Sequence, residues 1–174
     1  MNTPIQSTPD RRSAGSDTVS GLAGRYLTFR LGAGSYGVQV SSVREIVRLL
    51  PITAVPQMPP SMRGVVNLRE RVIPVVDMRQ HFGQGSVEAG NRTCIVVVET
   101  QASGGGLRQT GLIVDTVEEV VDVAATEITA PSTLADRADT RHLLGLARVK
   151  GEVKALLDVG RVLAAGELSI VEAA

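Results

Sequence analysis

The feature that most constrains the fold of this chain is a set of strand-like segments that occurs twice in the same order. The matching blocks are 25–32 with 92–99, 37–47 with 111–121, and 64–77 with 145–158. The offset between partners is 67, then 74, then 81 residues, and insertions in loops would produce this steady growth. In the first pair of blocks, Leu27 is aligned with Cys94. A single match could be chance among valine-rich strands, but three in order favour a duplicated β-unit.

Side-chain alternation predicts strands within the blocks. Leu27, Phe29 and Leu31 alternate with more polar neighbours, which is the period of two that is typical of a strand. Segments 72–76 and 94–98 are nearly unbroken aliphatic runs, as expected for strands that are buried on both faces. Glycine-rich turns separate these segments. The pattern therefore predicts an all-β barrel or sandwich.

The size of the repeated unit predicts how the domain is organised. Each unit would contain about 65–75 residues, too few to bury a comfortable core alone, so the two should share a hydrophobic seam. We expect a disordered N-terminal tail at 1–22, a folded body at 23–168 and a C-terminal tail at 169–174. The boundary between the units is expected near 83–91, and strands can be exchanged across it.

Each repeat is expected to close with a short helix. Asp77 and Asp158 occupy matching positions, and each precedes a short stretch with apolar residues at helical spacing. Aspartate at such a position is a typical N-cap, because its carboxylate accepts hydrogen bonds from the first free N–H groups.

The composition disfavours several classes of function. The chain has 18 Lys+Arg and 18 Asp+Glu with 2% aromatic residues, which argues against the basic surface or stacking platform of a nucleic-acid binder. The lone Cys94 lies in a buried-strand pattern and is expected to be a core thiol, and one cysteine with two histidines cannot supply a structural zinc site. No cofactor or metal is predicted.

Targeting signals are also missing from the pattern. The longest aliphatic run, 95–98, is far shorter than the ~20 residues that span a bilayer. The N-terminal segment is polar and lacks an apolar signal core. We therefore expect a cytoplasmic protein with no direct membrane insertion.

No group of residues in the sequence indicates catalysis. His81 and His142 have no evident nucleophile to activate, and adjacent carboxylates at Glu118 and Glu119 would point to opposite faces of a strand. Glycines 104–106 precede no Gly-Lys-Ser/Thr motif, so they are interpreted as a hairpin connection. The sequence favours a binding module over a small enzyme or a β-barrel nucleic-acid binder.

Six segments together resemble the CheW-type chemotaxis coupling proteins: 36–40, 43–46, 64–69, 72–77, 111–117 and the closing hairpin 145–158. The strings Gly-Val-Val-Asn-Leu-Arg and Ile-Pro-Val-Val-Asp are the most specific part of the likeness, which covers about Tyr26 to Leu163. The same fold occurs as the regulatory domain of the CheA histidine kinase. A chain of 174 residues without kinase or phosphotransfer segments is similar to the stand-alone adaptor.

The resemblance implies a fold and a non-enzymatic function. The fold would be two SH3-like five-stranded β-barrel subdomains, packed on a shared hydrophobic core, with short helices. The function would be to couple chemoreceptor cytoplasmic tips, helical hairpins, to a CheA-type histidine kinase regulatory domain in signalling arrays, to which the protein would be held by protein contacts. The alternative is a related scaffold for another histidine-kinase pathway, in surface motility or gene regulation.

The resemblance also assigns two sets of contact residues. The receptor-contact set is Glu45, Gly64, Asn67, Arg69 and Val117. The kinase-contact set is Leu27, Val40 and Val43, of which Leu27 has an alternation that suits the core equally well.

One position departs from the family pattern. The family usually has glycine after the hairpin arginine, whereas this chain has Glu70 after Arg69. Glycine tolerates positive φ and glutamate does not, so we expect either a different turn or a strain of roughly 1 kcal/mol or more.

Overall fold

β-Strands dominate the part of the chain that the structure, a computed structural model, describes. The described residues are 21–85, 90–102, 104–131 and 142–164. The strands are β1 (Gly24–Leu31), β2 (Gly34–Gln39), β3 (Val43–Arg48), β4 (Met62–Leu68), β5 (Arg71–Asp77), β6 (Cys94–Gln101), β7 (Leu107–Val114), β8 (Thr116–Val123), β9 (Ile128–Thr129), β10 (Leu143–Val149) and β11 (Glu152–Leu157). The predicted tails at 1–22, apart from its last two residues, and 169–174 lie outside the described residues.

The strands form two sheets, which define two lobes. The six-strand lobe has the order β8-β1-β2-β11-β10-β9, and the five-strand lobe has the order β3-β6-β7-β5-β4. Each sheet takes strands from both sides of residues 83–91. The lobes are therefore not the two halves of the sequence laid side by side.

The two lobes follow one plan, built from opposite halves of the duplication. Leu156 pairs in parallel with Gly37, and Val75 pairs in parallel with Gly111. These are equivalent positions in the aligned blocks. The five-strand lobe thus combines the first two strands of the second repeat with the last three of the first. The six-strand lobe combines the first two strands of the first repeat with the last four of the second, so the repeats exchange strands reciprocally.

The strand register corrects the alignment of the first block. Val38 pairs with Leu27, and its repeat partner Leu112 pairs with Val96. Leu27 is therefore equivalent to Val96, and the sequence alignment that set it over Cys94 was wrong by two residues. Because strand side chains repeat every two residues, a slip of two keeps the same faces inward and leaves no sequence signal.

A shared hydrophobic core joins the lobes. Its buried residues are Leu27, Phe29, Leu31, Val38, Val76, Met78, Val96, Val98, Leu112, Val114, Leu157, Val159, Val162 and Leu163. Each lobe also has its own interior cluster, which includes Tyr26 in the six-strand lobe and Ile95 in the five-strand lobe. β1 and β6 are therefore buried on both faces, as the aliphatic run at 94–98 predicts.

Both sheets curl until their ends meet. In the five-strand lobe, Arg69 follows β4 at one end of the sheet and lies 3.0 Å from Glu45 on β3 at the other end. In the six-strand lobe, the equivalent Lys150 follows β10, the strand beside the two-residue β9 at the sheet end, and lies 2.9 Å from Glu119 on β8 at the other end. The all-β class with two β-subdomains on a shared core is confirmed, with a sixth strand in one lobe, the two-residue β9.

Short helices follow the last hairpin of each repeat, as predicted. The first helix is Met78–His81, and the second is residues 159–164. Asp77 Oδ1 accepts a hydrogen bond from the Gln80 N–H at 3.2 Å, and Asp158 Oδ1 accepts one from the Arg161 N–H at 3.1 Å. Among the described residues, no helix has the length and apolar character needed to cross a membrane.

Candidate functional site

The hairpin between β4 and β5 ends in a two-residue loop with an unusual backbone. Arg69 and Glu70 have φ values of 51° and 66°, and two positive φ values are the requirement of a type I′ turn. The equivalent loop in the six-strand lobe, Lys150 and Gly151, has φ values of 51° and 79°. The turn type is therefore retained, and Glu70 adopts the left-handed conformation that glycine adopts at Gly151.

Replacing Glu70 with glycine is expected to raise the free energy of unfolding by about 1 kcal/mol or slightly less, because the left-handed strain is removed while glycine adds entropy to the unfolded chain. Chemical denaturation measures the change. The matched control is Gly151→Glu, which should lower stability by a similar amount. A neutral Glu70→Gly beside a destabilising Gly151→Glu would contradict the strain argument.

The side of the hairpin next to β3 forms a polar surface groove of about 590 Å³. Its lining residues are Arg44, Glu45, Leu68, Arg69, Arg71, Ile73 and Gln109. The Arg69 side chain is 79% exposed while its ion-pair partner Glu45 is 26% exposed. The guanidinium is therefore positioned on an ordered carboxylate yet remains open to a partner.

Hydrogen bonds order the floor of this groove. The Arg44 guanidinium donates to Glu99, and Gln109 Nε2 donates to the other oxygen of Glu99 at 3.3 Å. The hydrogen bond from Arg44 lowers the pKa of Glu99 below its ordinary value. The groove thus presents three arginines, Arg44, Arg69 and Arg71, against Glu45 and the neighbouring Glu99, so arginines outnumber glutamates there.

The remaining predicted receptor contacts differ in accessibility. Asn67 is exposed on the same hairpin as Arg69. Gly64 is buried with φ 139°, and a Cβ there would lie 2.1 Å from the carbonyl oxygen of Thr53. Gly64 is therefore required by the close approach of two backbone segments, and its assignment as a receptor contact stays a prediction.

Three predicted valines lie where the lobes join. Val40, Val43 and Val117 are half-buried and pack against the shared core. Val43 pairs with Val98, and Val117 pairs with Phe29, so Val43 and Val117 are equivalent in the two repeats. Their remaining exposure leaves an apolar edge on each lobe.

Leu27 does not share this exposure. It is 3% exposed and belongs to the shared core. The structure therefore favours the core interpretation of Leu27, because β1 is covered on both faces and its side chain presents no surface to a kinase domain.

Sequence reasoning missed a buried charge network in the six-strand lobe. Lys154 is 3% exposed, and its Nζ donates to Ser35 Oγ at 3.0 Å and to Glu118 at 3.2 Å. Arg30 lies 3.4 Å from Glu118 and 3.0 Å from Glu152. Burial raises the pKa of Glu118, but the hydrogen bonds from Ser35 and Lys154 outweigh burial, so its pKa falls below the ordinary value.

The equivalent network in the five-strand lobe has the opposite charges. The register pairs Arg30 with Glu99, Glu118 with Arg44, and Glu152 with Arg71. The apolar Ile73 occupies the position of Lys154. The second aligned block already placed Glu118 over Arg44, so charge reversal between repeats was the available sequence signal. The lobes therefore share a fold but differ in surface charge, and only the five-strand lobe has the excess of arginines.

The two histidines meet between the repeats. The His81 and His142 rings lie 5.6 Å apart, edge to face, and His142 Nδ1 is buried without a hydrogen-bond partner among the described residues. No group of three potential metal ligands occurs in that part of the chain. The pair is therefore described as a packed contact.

This contact predicts a pH dependence of stability. Burial, and then the charge of His142, lowers the pKa of His81 below 6.5. Below about pH 6.5 the unfolded chain binds the proton more tightly, so the free energy of unfolding should fall as the pH drops. Urea denaturation between about pH 7.5 and about pH 5.5 measures this slope, which His81→Gln should flatten. An unchanged slope in His81→Gln would assign the dependence to another group.

Comparison with known proteins identifies the family of this chain. The family model of the CheW-like domain matches residues 25–167. The chain is 31% identical to "Chemotaxis protein CheW" of Klebsiella aerogenes over 164 residues, covering 91% of this chain and 96% of that protein. It is also 30% identical to "Protein FrzA" of Myxococcus xanthus over 131 residues, covering 75% of this chain and 78% of that protein.

A solved structure gives the same answer. The crystal structure of the scaffolding protein TtCheW from Thermoanaerobacter tengcongensis matches with a TM-score of 0.70 at 28% identity, covering 80% of this chain and 87% of that chain. This match agrees with the family resemblance seen in the sequence, as do the two curved sheets and the shared core. The chain therefore belongs to the CheW-like domain family of chemotaxis scaffold and adaptor proteins.

Proposed function

We propose that this chain is a non-enzymatic adaptor that couples chemoreceptor (methyl-accepting protein) tips to a CheA-type histidine kinase in bacterial chemotaxis arrays. The observation that carries the proposal is the exposed Arg69 guanidinium, which is positioned by Glu45 on a rigid hairpin of a CheW-like fold. In this role the protein is held at membrane-bound arrays through protein contacts alone.

The receptor would bind along the β4–β5 hairpin. A helical hairpin that presents an acidic residue to Arg69 and an apolar stripe to neighbouring residues would match the charge of the groove. Asn67 would donate or accept hydrogen bonds beside Arg69. Val117 would contact the receptor from the neighbouring lobe.

The kinase would bind a different face. Val40 and Val43 lie in and just after the 3-10 turn that leads into β3, and their half-exposed side chains offer an apolar centre for the kinase regulatory domain. Two contact faces on one rigid body allow both partners to bind together. Signalling contacts of this kind are usually modest in area and reversible.

Reconstitution tests the proposal directly. The purified chain is mixed with a receptor cytoplasmic hairpin and a CheA-type kinase, and complexes are separated by size. We expect a ternary complex that forms only when the chain is present. Binding to neither partner, or to the two partners only in separate complexes, would refute the adaptor role.

A second candidate is a related scaffold for another histidine-kinase pathway, in surface motility or gene regulation. The observation in its favour is that Protein FrzA, a relative at 30% identity, does not carry the name of the chemotaxis protein CheW to which the chain is 31% identical, so the family has members under other names. The discriminating experiment is affinity capture from the native cell. Recovery of a flagellar chemotaxis kinase supports the first candidate, and recovery of a different histidine kinase supports the second.

A further inference from the structure

The five-strand lobe contains an apolar groove of about 770 Å³ that the proposed function does not use. Its origin is the short parallel pairing of β5 with β7, which begins at Val75 and Gly111. The residues before this pairing are spread apart, and the groove lies between them. Val72 and Leu107 on its two walls are 69% and 67% exposed.

The other repeat shows that the fold does not require this groove. Thr110 lines the groove, and its repeat partner in the six-strand lobe is Tyr36. The Tyr36 ring stacks on Phe29 at 6.1 Å and on Phe82 at 5.5 Å, and so fills the equivalent space. The smaller Thr110 leaves the space open, which makes the groove a property of this lobe.

The path of the chain points to an occupant. Val162 and Leu163 of the second helix line the groove, and the described residues end at 164. The last described residues therefore lie at its wall, and the ten residues 165–174 could reach at most about 33 Å when extended. This segment includes three large apolar residues, Leu168, Ile170 and Val171.

Charge agrees with the same occupant. The segment 165–174 carries two acidic residues, Glu167 and Glu172, and no basic residue. Two arginines, Arg71 and Arg108, line the groove. Carboxylates that flank an apolar stripe match a groove with apolar walls and guanidinium groups at its rim.

We propose that residues 165–174 bind in this groove of their own chain, with Leu168, Ile170 and Val171 against its apolar walls and the glutamates near Arg71 and Arg108. Arg71 also lines the groove beside Arg69.

Backbone NMR relaxation of the full chain tests the proposal. We expect order parameters above about 0.6 for residues 168–171, and a fall below that value in Thr110→Tyr, in which the tyrosine fills the groove as Tyr36 does in the other lobe. The double variant Arg71→Glu, Arg108→Glu should release the segment without a change in the core. Ser169→Asp is the matched control in the segment and should leave the groove resonances close to those of the wild type.

Three results would overturn the proposal. The first is a segment that is already flexible in the wild type. The second is an ordered segment that neither groove variant releases, which would place it elsewhere on the protein. The third is a set of groove resonances that shift with protein concentration, which would identify a second copy of the chain as the occupant. None of these readouts involves a receptor, so the test is independent of the proposed function.

Discussion

Replacing Gly64 with alanine is expected to lower the free energy of unfolding by about 3–5 kcal/mol, a large part of the stability of a domain this size. Two effects add: a side chain at φ 139°, and a Cβ placed 2.1 Å from the Thr53 carbonyl oxygen. Since β4 cannot move away without breaking its pairing with β5, the strain cannot relax locally. Thermal unfolding should show a fall in Tm of about 10 °C.

Alanine substitutions at two further glycines serve as controls for Gly64→Ala. Gly104→Ala adds a Cβ with no atom within 4 Å and should change stability little. Gly145, the repeat partner of Gly64, would place a Cβ 2.9 Å from the Thr129 carbonyl oxygen, and Gly145→Ala should have an intermediate effect. If Gly64→Ala melted like Gly104→Ala, the backbone contact with Thr53 would not be a feature of the folded protein.

The substitution Arg69→Glu, which reverses the charge, is expected to weaken receptor binding about tenfold or more. The reason is that a receptor carboxylate that pairs with Arg69 would be left in the interface without a cation. Stability should change by less than about 1 kcal/mol, since the ion pair with Glu45 is solvent-exposed on the arginine side. Co-sedimentation with receptor-containing vesicles measures the binding, and a thermal melt measures the fold.

The duplicated fold supplies a matched control for this variant. Lys150→Glu reverses the equivalent charge beside Glu119 in the six-strand lobe and should leave receptor binding unchanged. The double variant Glu45→Arg, Arg69→Glu restores an ion pair in which the two charges have exchanged positions. It should still fail to bind the receptor. Equal loss of binding in Arg69→Glu and Lys150→Glu would show that the effect comes from the fold and not from a contact at the hairpin.

Much of the fold follows from the sequence because periodicity and duplication are strong signals. The alternation of Leu27, Phe29 and Leu31 predicts strand β1, and the matching of Asp77 with Asp158 predicts a helix cap in each repeat. The alignment of three blocks predicts two similar β-units with a shared core. These signals are local, or depend only on the order of segments along the chain.

The pairing of strands between repeats is less accessible to sequence reasoning. A lobe could be formed from the strands of one repeat alone or from strands of both repeats. Both arrangements bury the same residues, so the hydrophobic pattern of the sequence does not distinguish between them. The two-residue error at Leu27 has a similar origin, because a slip of two keeps the inward face unchanged.

The candidate site was predicted mainly through the family resemblance. Residue type alone describes Arg69 as an ordinary charge at a turn, and only the folded sheet brings it within 3.0 Å of Glu45. Gly64 was assigned as a contact because it lies in the same motif, whereas its role depends on the approach of Thr53 in space. The groove at Thr110 becomes visible only when Tyr36 is seen to fill the equivalent position.

The central claim is that one rigid body carries two separate contact faces, and the most direct test measures both partners at once. The Kd values for a receptor hairpin and for a CheA-type regulatory domain are determined for Arg69→Glu and Val43→Asp, at a temperature where melts show both variants folded. We expect Arg69→Glu to lose the receptor and keep the kinase domain, and Val43→Asp to do the reverse. Loss of both partners together in either folded variant, or of neither in both, would contradict the account.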